Sequence, residues 1–537
     1  MKKVLVVLIL IAVLGTCLVS FTACGRKTRP DDLIYIRNLY FGKWTDYNDS
    51  YTKYIEEKFG VRFTDPAYDV SPASYDFSNW TSQVNGDLQG DLPDVFEADI
   101  DSYSFNKTYV RWAKTGIIKA LPDEILDENG PWPNLAKMLN SYTDLEYLKY
   151  NGKLYGIPVA RNIKESDVPF APFTYIYRRD VAQALGVYKE NDEYEWGDFV
   201  ELLKAFSTYT SENKSESFKT YGAIGDSEWG YPSIMNFFKS ASHCFAIENG
   251  TVVNNYNNAA YMSGLQTVKE LAPYYLSLQL SYSMKQNMVK EEYVSKRHIG
   301  VLYENITMAN YLAIREKIKG DDKTAIMKVK GPDGKYALEE QEQWFSMSLM
   351  NGKISDAKLK SILDIMEWLI SPEGTKMALY GIEGQDYKMV NGEVQLLNKR
   401  GSLWYTGKSG KYADSASNNG AKYLRYMVTL GNDLVDKDPL IQNDAEKKAA
   451  YDILQTWSDE MMTAYRSGDL KILGEDSRIK WMQTDSKQRY ASELLSEANM
   501  AVINYTLGKK TLEDYNASMN TKQWQAVLKE INEGLNK

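Results

Sequence analysis

Hydrophobic positions along this chain follow two rhythms. Short apolar runs of strand length end at Gly, Pro, Asn or Asp. Longer segments carry apolar residues every three or four positions, the spacing of a helix with one buried face. Residues 33–41 form the first strand-like run. Residues 44–60 follow with Tyr47, Tyr51, Tyr54, Ile55 and Phe59 at helical spacing, and Val61, Arg62 and Phe63 restart a strand. Strand, helix, strand in that order predicts a parallel βαβ unit, because parallel neighbours need a crossover long enough to hold a helix. The alternation continues. A loop from Gly90 feeds a short buried strand at Asp94-Val95-Phe96, and residues 107–114 read as a helix. Asn151-Gly152 predicts a tight hairpin turn, whose two central positions need positive φ. Residues 173–177 predict a strand, and 179–185 a helix closed by Gly186. Residues 196–209 are amphipathic; 221–225, 297–303 and 344–349 predict strands. Residues 356–369 predict a helix stopped at Ser371-Pro372. From Tyr423 onward the pattern is mostly helical, strongest over 449–465 and 486–507. Together these elements predict an α/β protein with a helical C-terminal subdomain.

One run departs from both rhythms. Lys2 and Lys3 precede an apolar or small stretch over 4–19, followed by Ser20-Phe21-Thr22-Ala23-Cys24-Gly25. A charged start, an apolar centre and small residues before a cleavage point are the parts of a secretory leader. The stretch falls short of the roughly 20 apolar residues that span a bilayer. A length of 537 residues exceeds what one hydrophobic core usually carries, so at least two domains are expected. A net charge of -9 without a basic stripe argues against a nucleic-acid partner. Cys17 leaves with the leader and Cys24 sits at its end, so Cys244 alone remains and no intrachain disulfide forms. Only His243 and His298 are available for imidazole chemistry, which removes most metal sites and most acid–base catalysis. The acidic loop at Glu190-Asn191-Asp192-Glu193 lacks the ligand spacing and central Gly of a calcium loop, so no metal is expected. The surplus is aromatic: 40 Tyr and 12 Trp offer flat apolar faces with polar tips, which suit sugar rings.

Thr22-Ala23-Cys24 resembles the lipobox of bacterial lipoproteins. That resemblance implies a leader over 1–23, a diacylglyceryl group on Cys24, a linker over 24–32, and a body held on the extracellular face of the cell membrane. Four further segments resemble the lipid-anchored solute-binding proteins of bacterial carbohydrate ABC importers, the large members of extracellular solute-binding protein family 1. They are Gly90-Asp91-Leu92-Pro93-Asp94-Val95; Asn151-Gly152-Lys153-Leu154-Tyr155-Gly156-Ile157-Pro158; Tyr175-Ile176-Tyr177-Arg178-Arg179-Asp180; and Ser371-Pro372-Glu373-Gly374 with Tyr380-Gly381-Ile382-Glu383-Gly384. Their order and spacing run over most of the chain. The resemblance implies a two-lobe periplasmic-binding-protein-like fold of the class II type, with discontinuous lobes and a multi-segment hinge. By that resemblance 33–162 and 344–375 form the N-terminal lobe; 163–343 and 376–537 form the C-terminal lobe with its helical tail. The chain would cross between lobes near 159–168, 342–345 and 372–384. The implied function is capture of an oligosaccharide or other small polar solute between the lobes by a monomer. Delivery to ABC importer permease subunits follows, with no cofactor and no catalysis. The stretch 238–258 departs from the family by lacking a tryptophan and keeping only Asn249-Gly250 of an expected element.

In such a fold ligand contacts lie on loops at strand ends facing the cleft. Trp44 follows the first strand, and Glu97 and Asp99 follow the strand at 94–96 with carboxylates suited to sugar hydroxyls. Trp229 and Tyr231 share a Gly- and Pro-flanked loop and are the leading stacking candidates. Tyr303 and Glu304 offer a platform and a hydrogen-bonding partner, Trp344 begins a hinge strand, and Tyr387 and Trp404 lie in Gly-rich loops assigned to the second lobe. Core packing or solvated surface is the competing reading for each. Two other functions compete. One is an enzyme on the same scaffold, similar to thiamine-degrading enzymes, with Cys244 as nucleophile; its neighbour His243 does not by adjacency supply a base. The other is a sensory or peptide-binding lipoprotein.

Overall fold

The computed structural model describes residues 30–37, 50–64, 92–100, 105–161, 168–207, 233–239, 243–274, 286–295, 299–318, 323–384, 386–397, 424–429, 439–442 and 444–536. Nine of its strands build two sheets. In chain order they are β1 (Leu33–Arg37), β2 (Arg62–Thr64), β3 (Val95–Ala98), β4 (Gly156–Ala160), β5 (Phe173–Arg178), β6 (Glu193–Tyr194), β7 (Val301–Asn305), β8 (Thr324–Val329) and β9 (Trp344–Met350). The first sheet runs β2-β1-β3-β9-β4 and the second β6-β8-β5-β7.

The expected βαβ unit is present. β1 pairs in parallel with β2, Ile34 opposite Phe63, and the helix Ser50–Phe59 makes the crossover. β3 extends the parallel set beside β1, and β9 then runs antiparallel between β3 and β4. Parallel strands covered on both faces read as continuous apolar runs, and all four residues of β3 are buried. Ile34, Ile36, Val95, Phe96 and Leu349 share one core with Ile362, Leu363 and Met366 of the helix Asp356–Ile370. That helix starts on Ser355, whose Oγ accepts from the Lys358 amide at 3.0 Å. Ser371-Pro372 ends it as expected, but the chain turns helical again at once. Ser371 Oγ accepts from the Gly374 amide at 3.1 Å, and Pro372 takes the first position of Pro372–Tyr380, where its missing N–H costs nothing.

The second sheet is covered on both faces. Tyr175, Tyr177 and Val301 pack with Phe199 and Leu203 of the helix Trp196–Phe206 and with Leu494 and Val502 of the tail helix Asp485–Thr506. Ile176, Leu302 and Ile326 pack the other way, with Tyr293, Leu312 and Trp457. Trp457 belongs to the 23-residue tail helix Ala445–Ser467. No helix of the described residues is long and apolar enough to cross a membrane.

The lobes are joined by crossing segments that lie side by side. β4 ends at Ala160 and β5 begins at Phe173. The Arg161 amide donates to Gln343 O at 3.0 Å, the Gln341 amide to Pro169 O at 3.0 Å, and the Ala171 amide to Glu339 O at 2.8 Å. Past residue 375 the chain is still part of the first core. Met377, Ala378 and Leu379 stay in the first core because the helix restarting at Pro372 lies along Asp356–Ile370. Leu424, Met427 and Val428 also pack there, and Thr429 bridges Ala160. Ile441 packs in the second lobe's outer core.

Candidate ligand cleft

Strand registers fix which ends of the two sheets meet the hinge. In the first lobe these are the end of β3, the start of β9 and the end of β4, with Met347 opposite both Ala98 and Pro158. In the second they are the start of β5 and the ends of β7 and β8. Phe173 lies opposite Asn305, and Tyr175 opposite both Tyr303 and Met327.

The second-lobe end is an aromatic wall. Residues two apart on a strand share a face, so Phe173 and Tyr175 of β5 meet Tyr303 of β7 on one side of the sheet. The Phe173 and Tyr303 rings stack at 6.0 Å with 29° between planes, and Tyr175 lies 5.1 Å from Tyr303. Phe173 and Tyr303 are half-buried, whereas Tyr175 is buried. A polar floor stands behind the rings. Tyr175 Oη and Ser233 Oγ are 2.9 Å apart. Asn236 Nδ2 donates to Glu339 Oε1 at 3.1 Å and to Tyr303 Oη at 3.4 Å. A cavity of about 20 Å³, room for one water, is lined by Phe173, Tyr175, Ser233, Asn236, Tyr303 and Trp457 among others. Burial raises the Tyr175 hydroxyl above its usual range, so it stays neutral and can donate.

The first-lobe end differs. Glu97 is buried and accepts a hydrogen bond from Ser346 Oγ. Asp99, one residue beyond the strand, is exposed. Trp344 is 9% exposed and stacks on Trp481 at 5.8 Å. Arg37, at the end of β1, is also buried.

The remaining candidates are placed as follows. Glu304 projects to the opposite face from Tyr303, where it is buried and pairs with Lys290 at 3.0 Å. The structure therefore separates a platform and a partner that adjacency had grouped. Tyr387 lies on the first lobe, not the second. Its ring is 5.8 Å from Tyr380, Lys376 Nζ is 5.1 Å from its centroid, and its hydroxyl donates to Glu383 at 3.2 Å. Cys24, Trp44, Trp229, Tyr231 and Trp404 lie outside the described residues. Sequence reasoning missed Phe173 and Asn236. The period-2 spacing of Phe173, Tyr175 and Tyr177 was the available signal for the first; the second has none in the local sequence.

Ionisable groups gather where the crossings meet the tail. Glu342 accepts from Arg161 Nη2 at 3.3 Å and pairs with Lys480 at 3.2 Å. Burial, then nearby Lys480, holds His243 down to about 4. Burial pushes Glu475 up to about 7 against the pull of Lys487 and Lys480, and burial lowers Lys487. Among the described residues no group of three or more His, Cys, Asp or Glu side chains is placed to hold a metal ion.

No family model and no curated protein matches this chain. Solved structures do. The alginate-binding protein AlgQ2, solved without calcium ion, matches with a TM-score of 0.63 at 16% identity, over 95% of this chain and 99% of that one. An extracellular solute-binding protein from Bifidobacterium longum subsp. infantis matches with a TM-score of 0.63 at 12% identity, over 94% and 98%. The N-glycan transport solute-binding protein NgtS from Streptococcus pneumoniae, in complex with Man1GlcNAc, matches with a TM-score of 0.53 at 15% identity, over 94% and 98%. These likenesses define the fold. It is the two-lobe, periplasmic-binding-protein-like α/β architecture, spanning nearly the whole of each chain.

Proposed function

We propose that this chain is a lipid-anchored, extracellular solute-binding protein that captures an oligosaccharide between its lobes and delivers it to the permease subunits of an ABC importer. The observation that carries the reading is the aromatic wall at the hinge end of the second sheet. Phe173 and Tyr303 present stacked, half-exposed rings backed by hydrogen-bonding groups. A sugar ring has apolar C–H faces and a hydroxyl rim, and such a wall serves both. Trp44, Trp229 and Tyr231 remain candidate contacts on sequence grounds, and Asp99, exposed one residue beyond β3, is the candidate of the first-lobe edge. The similar structures support the substrate class: AlgQ2 is an alginate-binding protein, and NgtS was solved in complex with Man1GlcNAc.

Function follows from closure. A solute touching both lobes favours the closed form by its differential affinity, and a permease reads that form. No bond is made or broken. Cys244 is 1% exposed, inside the second core, which removes it as a nucleophile facing a cleft. Cys24 is proposed as the lipidated anchor, with two acyl chains giving stable attachment where one would not. In a bacterial host, Cys24→Ala should move the protein from the membrane fraction to the medium; undiminished retention refutes the anchor.

A thermal-shift screen tests the substrate class. Neutral and acidic oligosaccharides, monosaccharides, short peptides and thiamine are compared. An oligosaccharide at a hundred times its Kd should stabilise by about 2.7 kcal/mol. Stabilisation by peptides or thiamine alone refutes the sugar reading.

A further inference from the structure

The tail touches both lobes through one short turn. Ser477–Lys480 is capped by Asp476, which accepts from the Arg478 amide at 2.9 Å. Ile479 is 1% exposed in the second lobe's core; Trp481, two residues on, is 4% exposed in the first lobe's core. The Trp481 ring stacks on Trp344 at 5.8 Å and meets Phe105 edge-on at 5.6 Å. Its Nε1 donates to Asp144 Oδ2 at 2.7 Å.

The turn is also held from behind and from the side. Lys487 Nζ, buried, donates to the carbonyls of Ile479 and Lys480, both at 2.6 Å. These are carbonyls that a helix end leaves without intrahelical partners. Lys480 Nζ reaches Glu342 at 3.2 Å, and Glu342 takes Arg161 with its other oxygen at 3.3 Å. One carboxylate therefore ties the tail to two crossing segments, those at Arg161 and Glu342. Upstream, Leu470–Leu473 pairs in parallel with Tyr336–Glu339, and the Glu340 amide donates to Leu473 O at 3.0 Å.

We infer that the Ser477–Lys480 turn with Trp481 is a strut that sets the resting angle between the two cleft walls, Trp481 being its foot in the first lobe. Crossing segments alone form a hinge, which bends by changing a few backbone angles. An anchored side branch resists that bending. Trp481 and Lys480 are thus positioning residues, which act through the lobes they hold. The inference rests on the two-lobe fold and not on what the cleft binds, so the two readings fail independently.

Hydrogen exchange on the full chain without ligand tests it. In Lys480→Met and Trp481→Phe, peptides covering 169–171 and 339–343 should lose protection, because their cross-segment hydrogen bonds open more often. Trp481→Phe keeps an aromatic ring and removes the Nε1–H donor. Peptides from β5 and β9 should keep their protection. Lys480 is a partly exposed side chain outside both cores, so Lys480→Met carries the test should Trp481→Phe misfold. Unchanged exchange at 169–171 and 339–343 overturns the inference. So does an increase shared equally by the sheet peptides, which would make the contact ordinary packing.

Discussion

The two lobes face each other with different chemistry. At the first-lobe edge the large groups are turned inward: Glu97 accepts from Ser346, and Trp344 is stacked under Trp481. At the second-lobe edge Phe173 and Tyr303 keep half-exposed faces over a polar floor. The difference follows from sheet type and register. β9 is flanked on both sides by strands in a sheet buried on both faces, so its side chains pack. Among the described residues β7 pairs with β5 alone, at the sheet's edge, and the Tyr303 ring near its end is half-buried rather than buried. On the proposed reading the described first-lobe edge serves stability and the second-lobe edge recognition. Substitutions at the two edges should therefore move different observables.

The largest effect is expected from Trp344→Ala. Truncating a buried tryptophan costs about 3 to 5 kcal/mol, read as a lower midpoint in urea. A Trp344→Ala protein that melts like the parent but binds sugar poorly would reverse the comparison.

His243, beside the hinge, gives the next effect, and its sign is fixed. Its usual value is 6.5, and burial holds it down to about 4 in the folded protein. The folded form therefore favours the neutral ring, while the unfolded chain takes up a proton near 6.5. Its contribution is present above pH 6.5 and lost as pH falls to 4, by up to about 3 kcal/mol. In His243→Gln the difference in urea midpoint between pH 7 and pH 4 should shrink. An equal acid loss in both proteins contradicts this.

A smaller effect is expected from Glu97→Gln. The amide keeps an oxygen for Ser346, so about 1 kcal/mol of stability is lost, with sugar affinity little changed. A large loss of affinity with unchanged melting would place Glu97 in the site and blur the division between edges.

Much of this fold was legible where local rules act. The strand-helix-strand start, the Asn151-Gly152 turn with φ of 49° and 76°, and Gly186 at φ 71° each follow from neighbouring residues. Ser371-Pro372 was legible as a stop but not as a cap, because the same two residues serve both roles. Tyr303 and Glu304 were adjacent in the sequence, and strand alternation sends them to opposite faces once the register is known. Trp481 was not legible at all. Its partners Asp144 and Trp344 are far away in the chain, and nothing local separates a strut from a surface tryptophan. The return of Leu424 and Val428 to the first core was illegible for the same reason: only packing shows it.

The central claim is that the second-lobe wall holds a sugar. It is tested most directly by calorimetric titration of the best oligosaccharide from the screen into the parent and Tyr303→Ala. An aromatic anchor accounts for about 2 kcal/mol of binding when truncated, so affinity should fall roughly thirtyfold at about 1.4 kcal/mol per decade. Melting of the ligand-free protein should change much less than in Trp344→Ala. Equal affinity of the two proteins, with Tyr303→Ala folded, would contradict the account.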